Sequence, residues 1–224
     1  MVFWTASVVG LAFAYLIGSI PTGYLAGRLL RGIDIREHGS RSTGTTNVLR
    51  TLGKGPALVV LLVDVLKGAV AIVLALWFYP WLVETPYVEH FDEIDPEIWL
   101  PWAICLAGLA VMLGHSRSIW LNFAGGRSAA TGLGVLLALS LPAGVAAVAV
   151  FGAVLTLTRI VSLAAMLAAL TAIIFVFALE EPLPYCLMVL AGGLYVIVHH
   201  RASIRRLLAG TEPHLGQHSP TAKT

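Results

Sequence analysis

Pro56-Ala57-Leu58-Val59-Val60-Leu61-Leu62-Val63-Asp64-Val65-Leu66-Lys67-Gly68-Ala69-Val70-Ala71-Ile72-Val73-Leu74-Ala75-Leu76-Trp77-Phe78-Tyr79 is the stretch that decides the fold. It is apolar throughout except for Asp64 and Lys67. About 20 apolar residues cross a bilayer as a helix, so this stretch reads as a membrane span with an ionisable pair inside it. Similar runs lie at about 4–27, 99–114, 129–141, 143–158, 161–179 and 184–199. The whole chain has 224 residues, of which 58% are hydrophobic and only 12% charged. Soluble domains carry roughly 25% charge. The expectation is an all-α polytopic membrane protein of seven transmembrane helices. A single domain fills 1–210, and a disordered tail on the inner side follows over 211–224.

The charges set the orientation. No basic residue precedes the first apolar run, while Arg28 and Arg31 follow it. It therefore reads as a retained span with its N-terminus outside, rather than a signal peptide. Residues 28–55 then fall inside with Arg28, Arg31, Arg36, Arg41, Arg50 and Lys54. Residues 80–98 fall outside with Glu84, Glu89, Asp92, Glu93, Asp95 and Glu97 and no Lys or Arg. Arg117, Arg127, Arg159 and the tail from Arg201 are inside, and Glu180 and Glu181 are outside. All of this obeys the positive-inside rule. Fusing 129–158 into one span across Pro142 would reverse the later charges, so the six-span topology is rejected.

Three polar patches share the inner side. The first runs from His38 to Arg50. It offers Ser40, Ser42, Thr43, Thr45, Thr46 and Asn47 as donors, Gly39 and Gly44 for close backbone approach, and two arginines. The second runs from Gly114 through Ser118 to Gly125-Gly126-Arg127-Ser128, just before a span whose first amides would face an anion. The third runs from His199 to Arg206. Hydroxyls, amides and guanidinium groups together suit oxyanions. Arg205 and Arg206 also fit a short amphipathic helix lying on an anionic leaflet. Asp64 and Lys67, at i,i+3, fit either a structural pair or a site contributor. Sparse inner carboxylates disfavour a metal site, and no metal or cofactor is expected. No GxSxG elbow or Walker loop occurs. The basic residues adjoin spans, so nucleic acid is not an expected partner. Cys105 and Cys186 sit in apolar runs and read as small core residues.

In order and spacing these patches resemble the bacterial integral-membrane acyl-phosphate:glycerol-3-phosphate acyltransferases. The resemblance rests on Gly18-Ser19-Ile20-Pro21, on Gly44-Thr-Thr-Asn47-x-x-Arg50 and on Asp64-x-x-Lys67-Gly68. It continues through Gly114-His115-x-x-Ser118 with Phe123-x-Gly125-Gly126, and through His200-Arg201-x-x-Ile204-x-Arg206-Leu207-Leu208-x-Gly210-Thr211-Glu212. The family topology of seven spans with an outside N-terminus agrees with the charge argument. The resemblance implies acyl transfer from a fatty acyl-phosphate to the 1-hydroxyl of glycerol 3-phosphate, the first committed step of phospholipid synthesis. It implies Ser40, Arg50, Arg127 and His200 as catalytic residues. Gly44, Thr46, Asn47, His115, Ser118, Gly125, Gly126, Ser162 and Ser203 would bind substrate, with Asp64 and Lys67 in support. It further implies the bacterial inner membrane, a site on the cytoplasmic side, membrane lipid around the chain and the enzyme that makes acyl-phosphate as a candidate partner. The chain departs from the family pattern at Ser40-Arg41-Ser42, Arg127-Ser128, Ala165 and Ser203. A carrier for organophosphate anions is the alternative, but the outer loops offer no basic residue for an outer gate.

Overall fold

The computed structural model describes residues 2–84 and 95–215. Glu89, Asp92 and Glu93 of the acidic stretch lie outside the described residues. Among the described residues the chain is helical, with no strand beyond an isolated bridge between Ser118 and Ala124. Helix α1 (Val2–Ser19) and helix α2 (Thr22–Arg31) part at Pro21, which cannot continue a helical hydrogen-bond ladder. Helix α2 stops at Gly32, whose left-handed backbone (φ 67°) lets its amide return to Arg28 O. Residues 28–55 are thus no plain loop. They hold the end of α2, a short 3-10 turn at Ile35–Glu37 and helix α3 (Thr45–Leu52). Helix α4 (Lys54–Glu84) carries the opening sequence. Its 31 residues make about 46 Å at 1.5 Å per residue, longer than a hydrocarbon core of about 30 Å.

Helix α5 (Pro96–Ser116) begins at Asp95, whose carboxylate accepts from the Glu97 amide at 2.9 Å. Helices α6 (Ala129–Leu139) and α7 (Leu141–Thr158) break at Ser140. A Cβ on Gly144 would collide with Leu137, so the chain turns sharply between the two helices. Helices α8 (Val161–Ala178) and α9 (Leu183–His199) follow. At His200 the chain bends by 55° into helix α10 (Arg201–Leu208), the amphipathic helix expected from Ile204, Leu207 and Leu208. Among the described residues five helical stretches are long and apolar enough to cross a membrane, or six if α9 and α10 count as one span. Helix α6 is shorter, with 11 residues.

The bundle packs through small residues. Cβ atoms at Gly68 and Gly134 would fall onto backbone of the facing helix, which sets how closely α4 and α6 approach. Outside the bundle, large apolar side chains such as Val8, Leu62, Trp77, Val145 and Leu157 are exposed. Trp4 meets Trp99 edge-on at 5.5 Å, and Trp77 stacks with Trp81 at 6.2 Å. Clustered Trp at helix ends fits a membrane interface.

The expected disordered tail is corrected at its start. Residues 211–215 fold back onto the bundle. Glu212 is buried, Leu215 donates its amide to Arg159 O at 2.6 Å, and His214 Nδ1 lies 3.0 Å from Thr158 O. Residues 216–224 lie outside the described residues.

Candidate active site

A cavity of about 620 Å³ opens among α3, α4, α6, α7, α8 and α9. One end is polar, lined by Ser40, Ser42, Thr45, Thr46, Arg50, Arg127, Ser162, His200, Arg206 and Glu212. The rest is apolar, walled by residues such as Leu61, Leu62, Val65, Leu133, Phe151, Leu155, Ala168 and Gly193. This amphiphilic shape suits a ligand with an anionic head and a hydrocarbon tail.

The first patch is shaped by Asn47, which is 1% exposed. Its Nδ2 lies within 3.1 Å of the carbonyls of Ile35, His38 and Ser42, and its Oδ1 accepts from the Ser40 amide at 2.8 Å. Asn47 therefore binds the loop to itself while lining the cavity where a substrate contact is expected. Ser42 Oγ accepts from the Gly44 amide at 3.2 Å, just before α3 begins. Gly44, Thr45 and Thr46 at this helix start line the polar end, as does Ser40. Asp34 caps the preceding 3-10 turn, and Arg36 holds its carboxyl down to about 2, well below the ordinary range. Arg36 Nη1 also donates to Leu121 O at 3.4 Å, tying the first patch to the second.

Arg50 and Arg127 both line the cavity and are partly buried. Burial pushes both guanidinium pKa values down, while Glu212 pulls each the other way. Among the described residues neither forms an ion pair. Arg127 Nη1 donates only to the neutral Ser203 Oγ, at 3.2 Å. Two cations left without carboxylate partners at the polar end are placed to take anions from a ligand.

Gly125 and Gly126 do not line the cavity. Cβ atoms there would strike the end of α5, at Gly126 the His115 ring itself. The glycines serve close packing under the Arg127 turn, in place of the expected phosphate cradle. Ser118 likewise lies away from the cavity, 2% exposed, donating to Ser19 O at 2.6 Å. His115 lines the cavity, as does Asp64, its partner at 3.5 Å. Lys67 does not line it and pairs with Asp64 at 2.8 Å.

The third patch places His200, Ser203 and Arg206 on successive turns. His200 Nδ1 lies 2.8 Å from Val196 O. A carbonyl only accepts, so Nδ1 carries the proton and Nε2 keeps its lone pair. Ser203 is fully buried and does not line the cavity. Its Oγ accepts from Arg127 and from Arg206 Nη2 at 3.0 Å, so it spaces two guanidinium groups. Ser162 lines the cavity and donates to Glu212 Oε1 at 2.6 Å, while Arg206 Nε donates to Glu212 Oε2 at 2.6 Å. Sequence reasoning missed Arg206 and Glu212 as site residues, assigning one to a leaflet-facing helix and the other to the tail. The i,i+3 step from Ser203 to Arg206 is the signal that sets Arg206 beside the Ser203 side chain.

The family model for glycerol-3-phosphate acyltransferase matches residues 8–210. A glycerol-3-phosphate acyltransferase 2 from Rhizobium johnstonii is 66% identical, covering 97% of this chain and 99% of its own. A glycerol-3-phosphate acyltransferase from Acaryochloris marina is 52% identical over 92% and 91% of the two chains. The crystal structure of PlsY (YgiH), an integral membrane glycerol 3-phosphate acyltransferase in its glycerol 3-phosphate form, superposes with a TM-score of 0.81 at 32% identity. It covers 94% of this chain and 96% of its own. Its lysophosphatidic acid form gives a TM-score of 0.78. Family match, full-length relatives and fold converge with the amphiphilic anion site: the chain belongs to the glycerol-3-phosphate acyltransferase family of integral membrane enzymes.

Proposed function

We propose that the acyl donor is a fatty acyl-phosphate, whose acyl group passes to the 1-hydroxyl of glycerol 3-phosphate. The products are 1-acyl-glycerol 3-phosphate and inorganic phosphate. The observation that carries this is the pair Arg50 and Arg127, neither held in an ion pair among the described residues, at the polar end of an otherwise apolar cavity. Both substrates and both products are then phosphates, and donor and product each carry a tail for the apolar wall. In this assignment Arg50, Arg127 and His200 hold glycerol 3-phosphate. Ser40 and the hydroxyls and amides at the start of α3 hold the acyl-phosphate, and the Gly125-Gly126 backbone acts through packing alone.

The chemistry asks little beyond placement. The hydroxyl oxygen attacks the acyl carbonyl carbon, the C–O bond to phosphate breaks, and phosphate leaves with the bonding pair. The proton passes to a phosphate oxygen of the substrates themselves. Phosphate is already a good leaving group, so orientation and stabilisation of developing negative charge suffice, without an acyl-serine. The competing route uses His200 or His115 as general base; near-normal turnover in both His200→Gln and His115→Gln would exclude it.

Seven spans, with α6 as the short one, an outside N-terminus and a cytoplasmic site complete the proposal. The basic residues on one side and the acidic stretch at 80–98 on the other support it. The setting is the bacterial inner membrane, where the enzyme making acyl-phosphate would supply the donor. One domain holds the whole of 1–210. Purified protein with palmitoyl-phosphate and glycerol 3-phosphate should form phosphate and 1-acyl-glycerol 3-phosphate in equal amounts. Product acylated on the 2-hydroxyl, or phosphate without acylated product, would reject the assignment.

A further inference from the structure

Asp64, Lys67 and His115 are 1%, 5% and 7% exposed, and the mechanism above uses none of them. Ionisable groups inside a membrane bundle are costly and call for a compensating role. Their contacts join α4, α2, α5 and the break between α1 and α2. Lys67 Nζ on α4 lies 2.8 Å from Asp64 Oδ1 and donates to Ile20 O at 3.1 Å, where α1 breaks into α2. Thr22 Oγ1 at the start of α2 donates to Asp64 Oδ1 at 2.6 Å. His115 near the end of α5 brings Nδ1 to 3.5 Å from the same oxygen. Facing a carboxylate, Nδ1 carries the proton, which sets the orientation of the ring.

The ring in turn seats the second patch. The Gly126 amide donates to His115 O at 3.0 Å, and a Cβ on Gly126 would overlap the imidazole. On the far side of the same turn, Ser128 Oγ donates to Met112 O at 2.7 Å. Arg127 stands between these two anchors and reaches the cavity.

We infer that Asp64, neutralised by Lys67, is a positioning residue for Arg127: it orients His115, His115 seats Gly126, and the seated turn aims the neighbouring guanidinium. The inference rests on the reading that Arg127 holds glycerol 3-phosphate. A pair serving stability alone would leave substrate affinity untouched when replaced by a neutral pair that folds. A positioning pair changes KM for the substrate that Arg127 grips.

The test compares Asp64→Asn/Lys67→Met, which removes both charges together, with Arg127→Met and with the triple variant. Steady-state phosphate release from palmitoyl-phosphate is read against glycerol 3-phosphate concentration, and thermal unfolding in detergent monitors folding. The neutral pair should raise KM for glycerol 3-phosphate about tenfold, with kcat within about threefold. On the Arg127→Met background it should add less than about twofold, since coupled residues are not additive. His115→Asn keeps an N–H toward Asp64 but removes the ring under Gly126. It should reproduce the KM rise, and it serves if the neutral pair fails to fold. A normal KM in a folded neutral pair, a normal KM in His115→Asn, or losses that multiply in the triple variant would each overturn the inference. An unchanged KM in Arg127→Met alone would reject the substrate assignment and the inference with it. A raised KM there, beside a normal one in the neutral pair, would reject the inference alone.

Discussion

Replacing Glu212 with Gln keeps the shape of the side chain and removes its charge. The carboxylate accepts from Ser162 at one oxygen and from Arg206 at the other, both at 2.6 Å. An amide has one acceptor oxygen; with that oxygen on Arg206, its NH₂ donates to the Ser162 hydroxyl, so both contacts survive only as weaker bonds without the carboxylate's charge. Hydrogen bonds to charged groups are worth roughly 1.5–3 kcal/mol. Arg206 is 38% exposed at its side chain, so water offsets part of the loss. About 2 kcal/mol remains. At 1.4 kcal/mol per decade this is roughly a 30-fold larger fraction of molecules with residues 211–215 undocked. Hydrogen exchange of the Leu215 amide, which donates to Arg159 O, reads that fraction directly. Exchange should quicken about 30-fold, and kcat/KM should fall because Arg206 no longer shares Ser203 with Arg127 in a fixed geometry. The pH dependence has a definite sign. Burial alone would raise the Glu212 pKa, but the bonds from Ser162 and Arg206 outweigh it and hold it below the ordinary value. A depressed carboxylate stabilises above its unfolded pKa and ceases to do so as pH falls through the folded one. The gap between wild type and Glu212→Gln should therefore be full at neutral pH and close on acidification. Equal exchange rates at neutral pH, or a gap that widens with acid, would refute the reasoning.

Gly126→Ala forces a Cβ into the His115 ring. Overpacking costs roughly 1–3 kcal/mol, and KM for glycerol 3-phosphate should rise as the Arg127 turn shifts; an unchanged KM would show that the turn tolerates the methyl. Ala168→Leu narrows the apolar wall on α8, so the rate ratio of lauroyl- to palmitoyl-phosphate should rise severalfold; a constant ratio would place the tail elsewhere. Asp34→Asn removes a carboxylate that Arg36 holds at about 2 against an ordinary 3.8. Its destabilisation, read by thermal unfolding, should be complete above the ordinary value and vanish as pH falls through about 2.

Much of the architecture was legible because membrane physics writes it plainly. Apolar runs mark the helices, and Pro142 marks the break between α6 and α7. Arg50, Arg127 and His200 line one cavity, and in the sequence they stand out by the small polar residues crowded around them in otherwise apolar surroundings. Other roles were not. Asn47 looks like a ligand residue, yet its amide is committed to carbonyls of its own loop, a closure that spacing does not reveal. Gly125 and Gly126 look like a phosphate cradle, yet what fills the space against them is His115, ten residues earlier. Glu212 follows Gly210 in a polar stretch that reads as a tail, and only its long-range partner Ser162, on α8, makes it part of the site.

The most direct test of the central claim is phosphate release by purified protein given palmitoyl-phosphate, with and without glycerol 3-phosphate, in the absence of added metal and coenzyme A. The account expects release that depends on glycerol 3-phosphate and collapses in Arg127→Met. Release independent of glycerol 3-phosphate would contradict it, as would none at all from folded protein that still binds glycerol 3-phosphate.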